Sequence, residues 1–575
     1  MVAAALLTGC GDHKPQSNTT IRIRWTHDPE TLDPLNLHNQ AALDAYNLLN
    51  ISLLQADAAT GKLAPALADS LPVTQVLNDS LTGINYRIRR AATWDDGRPI
   101  GAGDVAFTLK LMFCPGLPNE SAQSQYRFIR AVQAASDPRR FTFVCRGKSI
   151  EHAQITGDFF ILPEAALDPK GHFRRFSLED FQHHRPDIAA DSGVRAVARR
   201  YQVATAPHAV SPLPGCGAYQ LVQWEKDRYL TFRRKANWWA DQVSPAPLVL
   251  QARPARLHYA IIPDAATATL ALRRGDLDVY PQVPAREFER LRNSPAARKD
   301  LRFYTTSSYD VVTAGFNTRR PALADALTRQ ALSRCFDAPG LLRATQIGQG
   351  QLTVGLISPA DRLNYNDSLA LVPFAPQQAM ALLRQAGWHQ RPQGAAPGWY
   401  RTDAQGRPQR LQLTLRYRAN DDLFTTIALQ FRAAALGIGV PIELLPTESG
   451  AFSTALKTGD FDLFIRTLRG NPFMFNFTSI LHTAGIGAGN AYGFSTPASD
   501  RLIEAIIAAS SPRQRAQRVR QLQFLMQQQA PLTPLFFLSN RVVARRDLAG
   551  LYPNSLKPGY SATTLERVST PAPAP

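Results

Sequence analysis

Residues 93–108 read TWDDGRPIGAGDVAFT, and local structure is easiest to infer from this stretch of the chain. Asp96 and Gly97 predict a tight turn, because glycine adopts positive φ without steric cost and aspartate accepts hydrogen bonds from the turn backbone. Asp104 is a candidate cap for a helix that begins at Val105, since its carboxylate can accept from free amides of the first turn. The stretch therefore predicts a turn followed by a helix.

Strand and helix patterns alternate on both sides of this stretch. Residues 21–25 (IRIRW) and 411–417 (LQLTLRY) alternate polar and apolar side chains, which is typical of half-buried strands. Residues 377–387 (QQAMALLRQAG) place apolar side chains at helical spacing and end at a glycine suited to a helix C-terminus. Because such elements alternate through both halves of the chain, we predict the α/β class.

Size and charge exclude several classes of protein. The chain has 575 residues, which at roughly 100–200 residues per domain predicts about three to five structural units. Its 45% hydrophobic and 19% charged residues indicate a globular protein rather than a disordered one. The net charge is +18, but the basic residues are dispersed and lack a nucleic-acid motif, so we expect no nucleic-acid partner. No run of about 18 apolar residues occurs, which excludes a transmembrane helix.

The sequence also gives little support to an enzyme. It contains no GxSxG, HExxH or P-loop motif, so a hydrolytic enzyme is a distant alternative and we assign no catalytic residue. The five cysteines form no CxxC pair, which argues against structural zinc. The polar neighbours of His183 and His184 indicate a solvated pair. We therefore predict no metal and no cofactor.

The first twenty residues, MVAAALLTGCGDHKPQSNTT, indicate export. The apolar run ends in Leu7-Thr8-Gly9-Cys10, which resembles the lipobox of bacterial lipoprotein signal peptides. In that family the signal is cut before the cysteine, whose thiol carries diacylglycerol. We expect residues 1–19 to be a signal and tether, Cys10 to be the lipid attachment site, and the protein to be anchored to the membrane in the periplasm or cell envelope. A misplaced start codon would explain the missing basic n-region; an accidental apolar N-terminus is the alternative.

Export would permit disulfides between the remaining cysteines. Cys114 and Cys145 are the pair to test first. The alternative is that all four remaining cysteines are small buried hydrophobic residues.

Several segments, in order, resemble the family 5 extracellular solute-binding proteins, the oligopeptide- and dipeptide-binding components of ABC importers. The most specific is 93–108, where the family reads W/F-x-DG-x-P-h-TA-x-DV-x-F-T/S. Residues 31–34 (TLDP) resemble the family's early SLDP turn, and residues 61–70 (GKLAPALADS) resemble its G-x-L-x-P-x-LA-E-S segment. Residues 215–224 (GCGAYQLVQW) resemble GTGPYKLVSW. The resemblance extends from about residue 21 to about residue 565.

The resemblance implies a two-lobed periplasmic-binding-protein-like fold of type II, with hinged lobes and an extra subdomain on the first lobe. We expect the first lobe at 20–52, 212–258 and 535–575, the subdomain at 53–211 and the second lobe at 259–534. Residues 257–262 would form one hinge crossing, and residues 534–538 would lie near the return.

The same resemblance implies capture without catalysis. A small solute, with a peptide as the first expectation, would bind in the cleft between the lobes of a monomer and pass to an ABC permease. A protein of the same fold that binds a non-peptide or anionic solute, in sensing or as a chaperone, is the alternative. Sequence does not separate import from sensing.

One segment departs from the family. In peptide-binding members, an aspartate of the second lobe pairs with the ligand's amino group, in a segment like FD-x(4–5)-GW-x-x-D. Here residues 461–471 read FDLFIRTLRGN, so Asn471 stands at the aspartate position, with Arg466 and Arg469 close by. A neutral amide compensates a buried ammonium poorly, and arginines favour an anionic group. If Asn471 faces an amine, Asn471→Asp should tighten binding of unblocked peptides.

The first lobe supplies the other candidate ligand contacts. In the family, the residues that follow the early turn line the cleft, and here they are His38, Asn39 and Gln40. Tyr126 loosely matches a cleft tyrosine. The polar groups of the first three can hydrogen-bond an extended peptide backbone.

Overall fold

The computed structural model describes residues 20–37, 39–208, 213–391, 396–402, 406–473, 475–487 and 489–568. The predicted signal and tether (1–19, with Cys10) and the candidate residue His38 lie outside the described residues.

The strands and helices alternate along the chain, so the α/β class is observed directly. The strands are β1 (Thr20–Trp25), β2 (Leu54–Ala56), β3 (Leu63–Pro65), β4 (Val73–Val76), β5 (Leu81–Arg87), β6 (Ile129–Ala134), β7 (Arg140–Arg146), β8 (Tyr219–Glu225), β9 (Tyr229–Arg234), β10 (Arg256–Ile261), β11 (Val279–Pro281), β12 (Leu301–Phe316), β13 (Gln351–Leu352), β14 (His389–Arg391), β15 (Gly398–Thr402), β16 (Pro408–Arg410), β17 (Leu413–Arg418), β18 (Ile442–Thr447), β19 (Leu463–Arg469), β20 (Leu532–Arg545), β21 (Leu548–Ala549) and β22 (Glu566–Arg567).

The α-helices are α1 (Gln40–Leu49), α2 (Ala102–Met112), α3 (Glu120–Tyr126), α4 (His152–Ile155), α5 (Glu164–Leu167), α6 (Leu178–Gln182), α7 (Pro186–Ala190), α8 (Ser192–Ala204), α9 (Ala265–Arg274), α10 (Ala285–Arg292), α11 (Pro295–Asp300), α12 (Ala326–Ser333), α13 (Ala338–Gln346), α14 (Pro376–Gln385), α15 (Asp422–Gly437), α16 (Ser449–Thr458), α17 (Thr478–Leu481), α18 (Pro497–Ile507) and α19 (Pro512–Gln529). Short 3₁₀ turns lie between several of them.

One 11-stranded mixed sheet runs through the molecule, in the order β18-β17-β19-β12-β20-β11-β1-β10-β9-β8, with β13 paired to β20. We call the part built on β1 and β8–β11 the first lobe and the part built on β13 and β17–β19 the second lobe. The first-lobe strands pack into one large apolar cluster, and β17 and β19 pack into others.

The strands that continue from one lobe to the other are β12 and β20. The first part of β12 pairs with the last part of β20 beside β11, and the last part of β12 pairs with the first part of β20 beside β19. The register shifts between Ser307 and Val311, which marks a bulge. The predicted crossing at 257–262 is wrong, because β10 lies inside the first lobe between β1 and β9. The predicted return at 534–538 lies within β20.

Residues 53–211, predicted as a subdomain, contain a separate four-stranded sheet in the order β4-β5-β7-β6. Helices α2–α8 accompany it, and its apolar side chains join the large cluster of the first lobe. The predicted domain boundaries stay a prediction. Strand β11 lies beyond residue 258 and pairs with β1, so the sheet of the first lobe continues past that position.

Residues 93–108 form the predicted turn and helix, but Asp104 does not cap the helix as predicted. Gly97 has φ +82, and the Asp96 carboxylate accepts from the amide of Arg98 at 3.0 Å. Helix α2 begins earlier than predicted, with Gly101 as its cap. Asp104 is therefore in the first turn, where its carboxylate accepts from the Gly101 amide at 3.0 Å.

The four described cysteines are buried free thiols, so the pairing of Cys114 with Cys145 is not formed. Each sulfur lies in an apolar core near a backbone carbonyl: Cys114 near that of Pro115 at 3.6 Å, and Cys145 near that of Phe143 at 3.8 Å. Burial raises the pKa of each of the four thiols to about 12. They behave as small hydrophobic residues, which was the alternative prediction.

Candidate functional site

The two lobes face each other where β1, β17 and β19 end. His27 follows β1 in the first lobe, and its pKa is lowered first by burial and then by the positive charges of Arg24 and Arg418. Arg418 is the last residue of β17 in the second lobe. In the sheet, β12 and β20 lie between these first-lobe and second-lobe strands, and the charge of Arg418 acts on His27, so the strand ends of the two lobes face one cleft.

A cavity of about 300 Å³ lies within the first lobe, and all of its lining residues come from that lobe and its subdomain. Helix α1 forms one wall and residues 554–563, a segment that follows β21, form another. The floor is apolar and includes Tyr219, Trp238 and Tyr259, which are all at most 4% exposed. Polar side chains also line it, among them Asn47, Ser52, Gln55, Gln251, Asn554 and Thr563. An apolar cavity with a few polar groups is the usual form of a small-molecule site.

A smaller cavity of about 60 Å³ lies at the base of the cleft. Trp25 from β1 and Gln282, just after β11, line it together with Gln40 and Asp44 of α1. Gln40, Asp44 and Pro558 also line the large cavity. The two cavities are therefore neighbours that share the N-terminal turns of α1.

Two carboxyl groups with raised pKa values line the large cavity. Burial raises the pKa of Asp44 to about 7, although a hydrogen bond from Gln40 and the charge of Arg469 act in the opposite direction. Burial also raises the pKa of Asp158 to about 6. Charged groups held away from bulk water are typical of ligand sites. Arg469 belongs to the second lobe, so a positive charge of one lobe acts on the carboxyl group of Asp44 in the other.

The predicted first-lobe residues have different roles. Asn39 caps α1: its side-chain oxygen accepts from the Ala42 amide and its nitrogen donates to the Asp28 carbonyl, both at 2.9 Å. Gln40 lines both cavities. Tyr126 is only 5% exposed and lines neither cavity; its hydroxyl donates to the Asp158 carbonyl at 3.3 Å, behind the cavity wall.

The predicted second-lobe residues lie on β19 and just after it. Arg466 donates to the Tyr492 hydroxyl at 3.0 Å and lies over the rings of Phe464 and Tyr492, so packing holds it within the second lobe. Arg469 is exposed at the end of β19. Asn471 is also exposed, and its side-chain oxygen accepts from the Phe473 amide at 2.9 Å. Ligand contact by the predicted residues stays a prediction.

Sequence reasoning missed Asp44, Asp158 and Lys557. Asp44 follows Gln40 by four residues and therefore shares its helix face, a signal that the helical pattern of α1 contained. Asp158 and Lys557 carry no such signal, because irregular segments place them at the cavity.

A second contact joins the two lobes away from the cavity. Glu151, 1% exposed, precedes α4, and its carboxylate accepts from the Phe475 amide at 2.9 Å. The Arg515 guanidinium of α19 lies 3.7 Å from the same carboxylate and 4.5 Å from the centre of the Phe475 ring. The Ile150 amide also donates to the Ala509 carbonyl at 3.2 Å. We call this group the Glu151 contact.

Two features are absent from the described part of the chain. None of its helices is long and apolar enough to cross a membrane. It also holds no group of three or more His, Cys, Asp or Glu residues suited to a metal ion.

Solved structures share the fold at low sequence identity. The oligopeptide-binding protein AppA from Bacillus subtilis, in complex with a nonapeptide, has a TM-score of 0.75 at 18% identity, covering 96% of this chain and 99% of that chain. The periplasmic EDTA-binding protein EppA has a TM-score of 0.77 at 17% identity, covering 96% of this chain and 97% of that chain. The predicted two-lobed type II fold is confirmed.

Sequence comparison agrees with the fold. The chain is 24% identical over 566 residues to "Probable di/tripeptide-binding protein 5" of Pseudomonas aeruginosa (strain UCBPP-PA14), covering 94% of both chains. The family described as "Bacterial extracellular solute-binding proteins, family 5 Middle" matches residues 62–487. Its members are extracytoplasmic binding proteins, which confirms the prediction that the chain is not an enzyme. The chain belongs to family 5 of the bacterial extracellular solute-binding proteins.

Proposed function

We propose that this protein is the solute-binding lipoprotein of an ABC importer, which captures a short peptide between its lobes and delivers it to a permease. The observation that carries this proposal is the first-lobe cavity of about 300 Å³, which shares Gln40, Asp44 and Pro558 with the small cavity at the base of the cleft. Ligand pockets are about 300–1,000 Å³ in volume, so this one suits a short solute. The relative named as di/tripeptide-binding supports the same size class.

The chemistry of the walls suits a peptide. Amide and hydroxyl side chains such as Asn47, Gln55 and Gln251 can pair with a ligand backbone, while Tyr219 and Trp238 offer apolar surface to its side chains. Ordered water can complete hydrogen bonds that differ from one peptide to the next at small cost in free energy.

Capture would proceed by closure of the lobes about β12 and β20. A ligand shifts the population toward the closed form only as far as it binds that form better than the open one. In this proposal Cys10 carries the lipid, and residues 20–52, 212–258 and 535–575 with the subdomain 53–211 close against the second lobe. Cys10→Ser should release the protein from membranes and abolish labelling with radioactive palmitate; continued labelling would contradict the anchor.

An anionic solute is the second candidate, in import or in sensing. Arg418 and Arg469 bring positive charge to the second-lobe side of the cleft. A structural neighbour is an EDTA-binding protein. Arginine is well suited to binding carboxylates.

The decisive experiment identifies what the purified protein carries. The full chain is purified from detergent-solubilised membranes without exposure to denaturant. Its small molecules are then released by denaturation and identified by mass spectrometry, and binding is measured by calorimetry. Short peptides would support the proposal, and a non-peptide anion would support the second candidate. An empty protein that binds no peptide from a casein digest would contradict the proposal.

A matched pair of variants tests the location. Ala58 lines the large cavity and its neighbour Ala59 is exposed. Ala58→Trp should block the cavity and abolish peptide binding, whereas Ala59→Trp should leave binding unchanged at the same melting temperature. Equal binding by both variants would place the ligand elsewhere.

A further inference from the structure

The large cavity is negatively charged in a strongly basic protein. The chain carries a net charge of +18, yet the charged side chains that line the cavity are Asp44, Asp158 and Lys557. Lys557 is engaged by Asp310, a carboxylate that is 4% exposed, in an ion pair. The charge left facing the cavity is therefore negative, which favours a cationic group on the ligand.

A buried hydrogen-bonding group next to Asp44 lacks a partner among the described residues. The Gln40 amide nitrogen donates to the Asp44 carboxylate at 2.6 Å, which leaves the Gln40 oxygen as a second acceptor near this carboxylate. Within the described residues, that oxygen is buried without a hydrogen-bond partner. Trp25 is 6% exposed and lines the small cavity with Gln40 and Asp44. An unpaired buried acceptor is costly, so the Gln40 oxygen points to a hydrogen-bond donor on the ligand.

The positively charged side chains near Asp44 interact with other groups, except for Arg469. Arg24 donates to two backbone carbonyls, and Lys557 pairs with another carboxylate. Burial lowers the pKa of His27, which leaves this imidazole neutral at physiological pH. Arg469 of the second lobe pairs in the sheet with Asp310, the carboxylate that holds Lys557 in the cavity wall, and its charge acts on Asp44. Neither Arg469 nor Asp44 forms an ion pair with any residue that the structure describes. Opposite charges thus face each other across the cleft without direct contact.

We propose that the ligand is a zwitterion whose ammonium group binds Asp44 and the Gln40 oxygen of α1 and whose carboxylate binds Arg469. An ammonium has three donors and no acceptor, which matches a carboxylate beside an amide oxygen. This inference rests on the proposed function and specifies the polarity of the bound solute. It reverses the direction implied by the family resemblance, in which the second lobe binds the amino group. Asn471, at that family position, is exposed and its oxygen is already engaged.

The protonation of Asp44 gives the site a pH dependence. Burial raises the Asp44 pKa to about 7, so a proton competes with the ligand's ammonium below that pH. Affinity should fall by up to about tenfold per pH unit below 7, and should also fall above about 8, where an α-amino group loses its proton. The groups that act on Asp44 are Trp25, Gln40, Arg469 and Lys557. Tyr259 and Tyr560 also face it, and burial together with the charge of Asp44 raises the pKa of both hydroxyls well above the ordinary value. His27 and Arg24 line the small cavity with Asp44.

The test uses a casein digest, half of which is N-acetylated with isotopically labelled acetic anhydride. The full-length protein is mixed with both halves, washed, and the retained peptides are counted by mass spectrometry at pH 7.5. Free-amine peptides should be retained at least about tenfold over their acetylated forms. Asp44→Asn should remove this preference, and Asp79→Asn, at an exposed carboxylate, should preserve it. Methyl esterification of the peptide carboxylate should weaken binding to the wild type. In Arg469→Gln, esterified and unesterified peptides should bind equally. The exposed Arg273→Gln is the control and should behave like the wild type.

The outcomes separate the two proposals. Equal retention of free and acetylated peptides would overturn the assignment of Asp44 but leave peptide capture intact. Retention of neither form would contradict the proposed function and this inference together. Loss of the acid limb of the pH profile in Asp44→Asn, with the melting temperature unchanged, would support the assignment independently of peptide choice.

Discussion

Removing one charge of the Glu151 contact should shift the protein toward an open form. In Arg515→Met the apolar stem still covers the Phe475 ring, but the Glu151 carboxylate, 1% exposed, loses its cation. Unit charges 3.7 Å apart attract by about 4–5 kcal/mol at an effective dielectric of about 20. Because burial of the guanidinium offsets part of that attraction, we expect a net loss of about 1–3 kcal/mol, or about 5- to 150-fold in the ratio of closed to open protein.

The sign of the pH effect follows from the pKa of Glu151. Burial raises this pKa above its ordinary value even with Arg515 present. Without the arginine the carboxyl should take up a proton at still higher pH, and a neutral carboxyl needs no cation. The opening caused by Arg515→Met should therefore be largest at pH 8 and should shrink as the pH falls toward 5.

Small-angle X-ray scattering of the ligand-free protein measures the opening as an increase in radius of gyration, and calorimetry measures the accompanying loss of peptide affinity. Arg513→Met, at an exposed position of the same helix, is the control. The double variant Glu151→Gln with Arg515→Met should be closer to the wild type than Arg515→Met alone, because no buried charge is left unpaired. An unchanged radius of gyration at pH 8, or a double variant more open than the single one, would refute the reasoning.

Three further predictions concern other parts of the molecule. The four described cysteines should not react with a thiol reagent at pH 8 until the protein is unfolded in guanidinium, because burial raises their pKa values; rapid reaction of any of them in the native state would contradict this. Asp278→Asn should lower the free energy of unfolding by about 2–3 kcal/mol in urea titrations, because the fully buried carboxylate pairs with Arg22 and Arg567; the exposed Asp276→Asn is the control, and equal stability of both variants would count against it. Asn471→Asp should leave the affinity for unblocked peptides unchanged in calorimetry, since Asn471 is exposed and its oxygen is engaged; a clear gain would restore the sequence-based expectation.

Local sequence signals predicted local structure well. The alternation at 21–25 is β1, residues 411–417 overlap β17, and the apolar spacing at 377–387 is α14. These patterns work because a strand or helix with one buried face must repeat apolar residues at its own period. The order of family-like segments along the chain also predicted the two-lobed fold.

Features that depend on distant parts of the chain were harder to predict. The pattern of β10 fits an internal strand as well as a hinge crossing, and polar residues in the middle of β12 hide the fact that 301–316 form one continuous strand. The cavity wall at 554–563 and the carboxyl of Asp158 come from irregular segments without periodicity. The second-lobe candidates illustrate the same limit, because the side-chain oxygen of Asn471 is engaged by the Phe473 amide, a contact that a motif resemblance does not reveal.

The bulge of β12 is the position at which the sheet shared by the two lobes would bend. Val311 pairs with Phe537, only two residues from the partner of Ser307, and a second register shift follows between Val312 and Thr313. Before Ser307 and after Thr313 the two long strands keep a regular ladder. The two lobes would rotate about this position as about a hinge, so the displacement of a residue grows with its distance from the hinge. Asp310 lies in the bulge and pairs with Lys557 in the wall of the large cavity. A solute bound in this cavity would lie near the hinge. A small difference in the shape of the solute would therefore produce a larger displacement at the outer edges of the lobes.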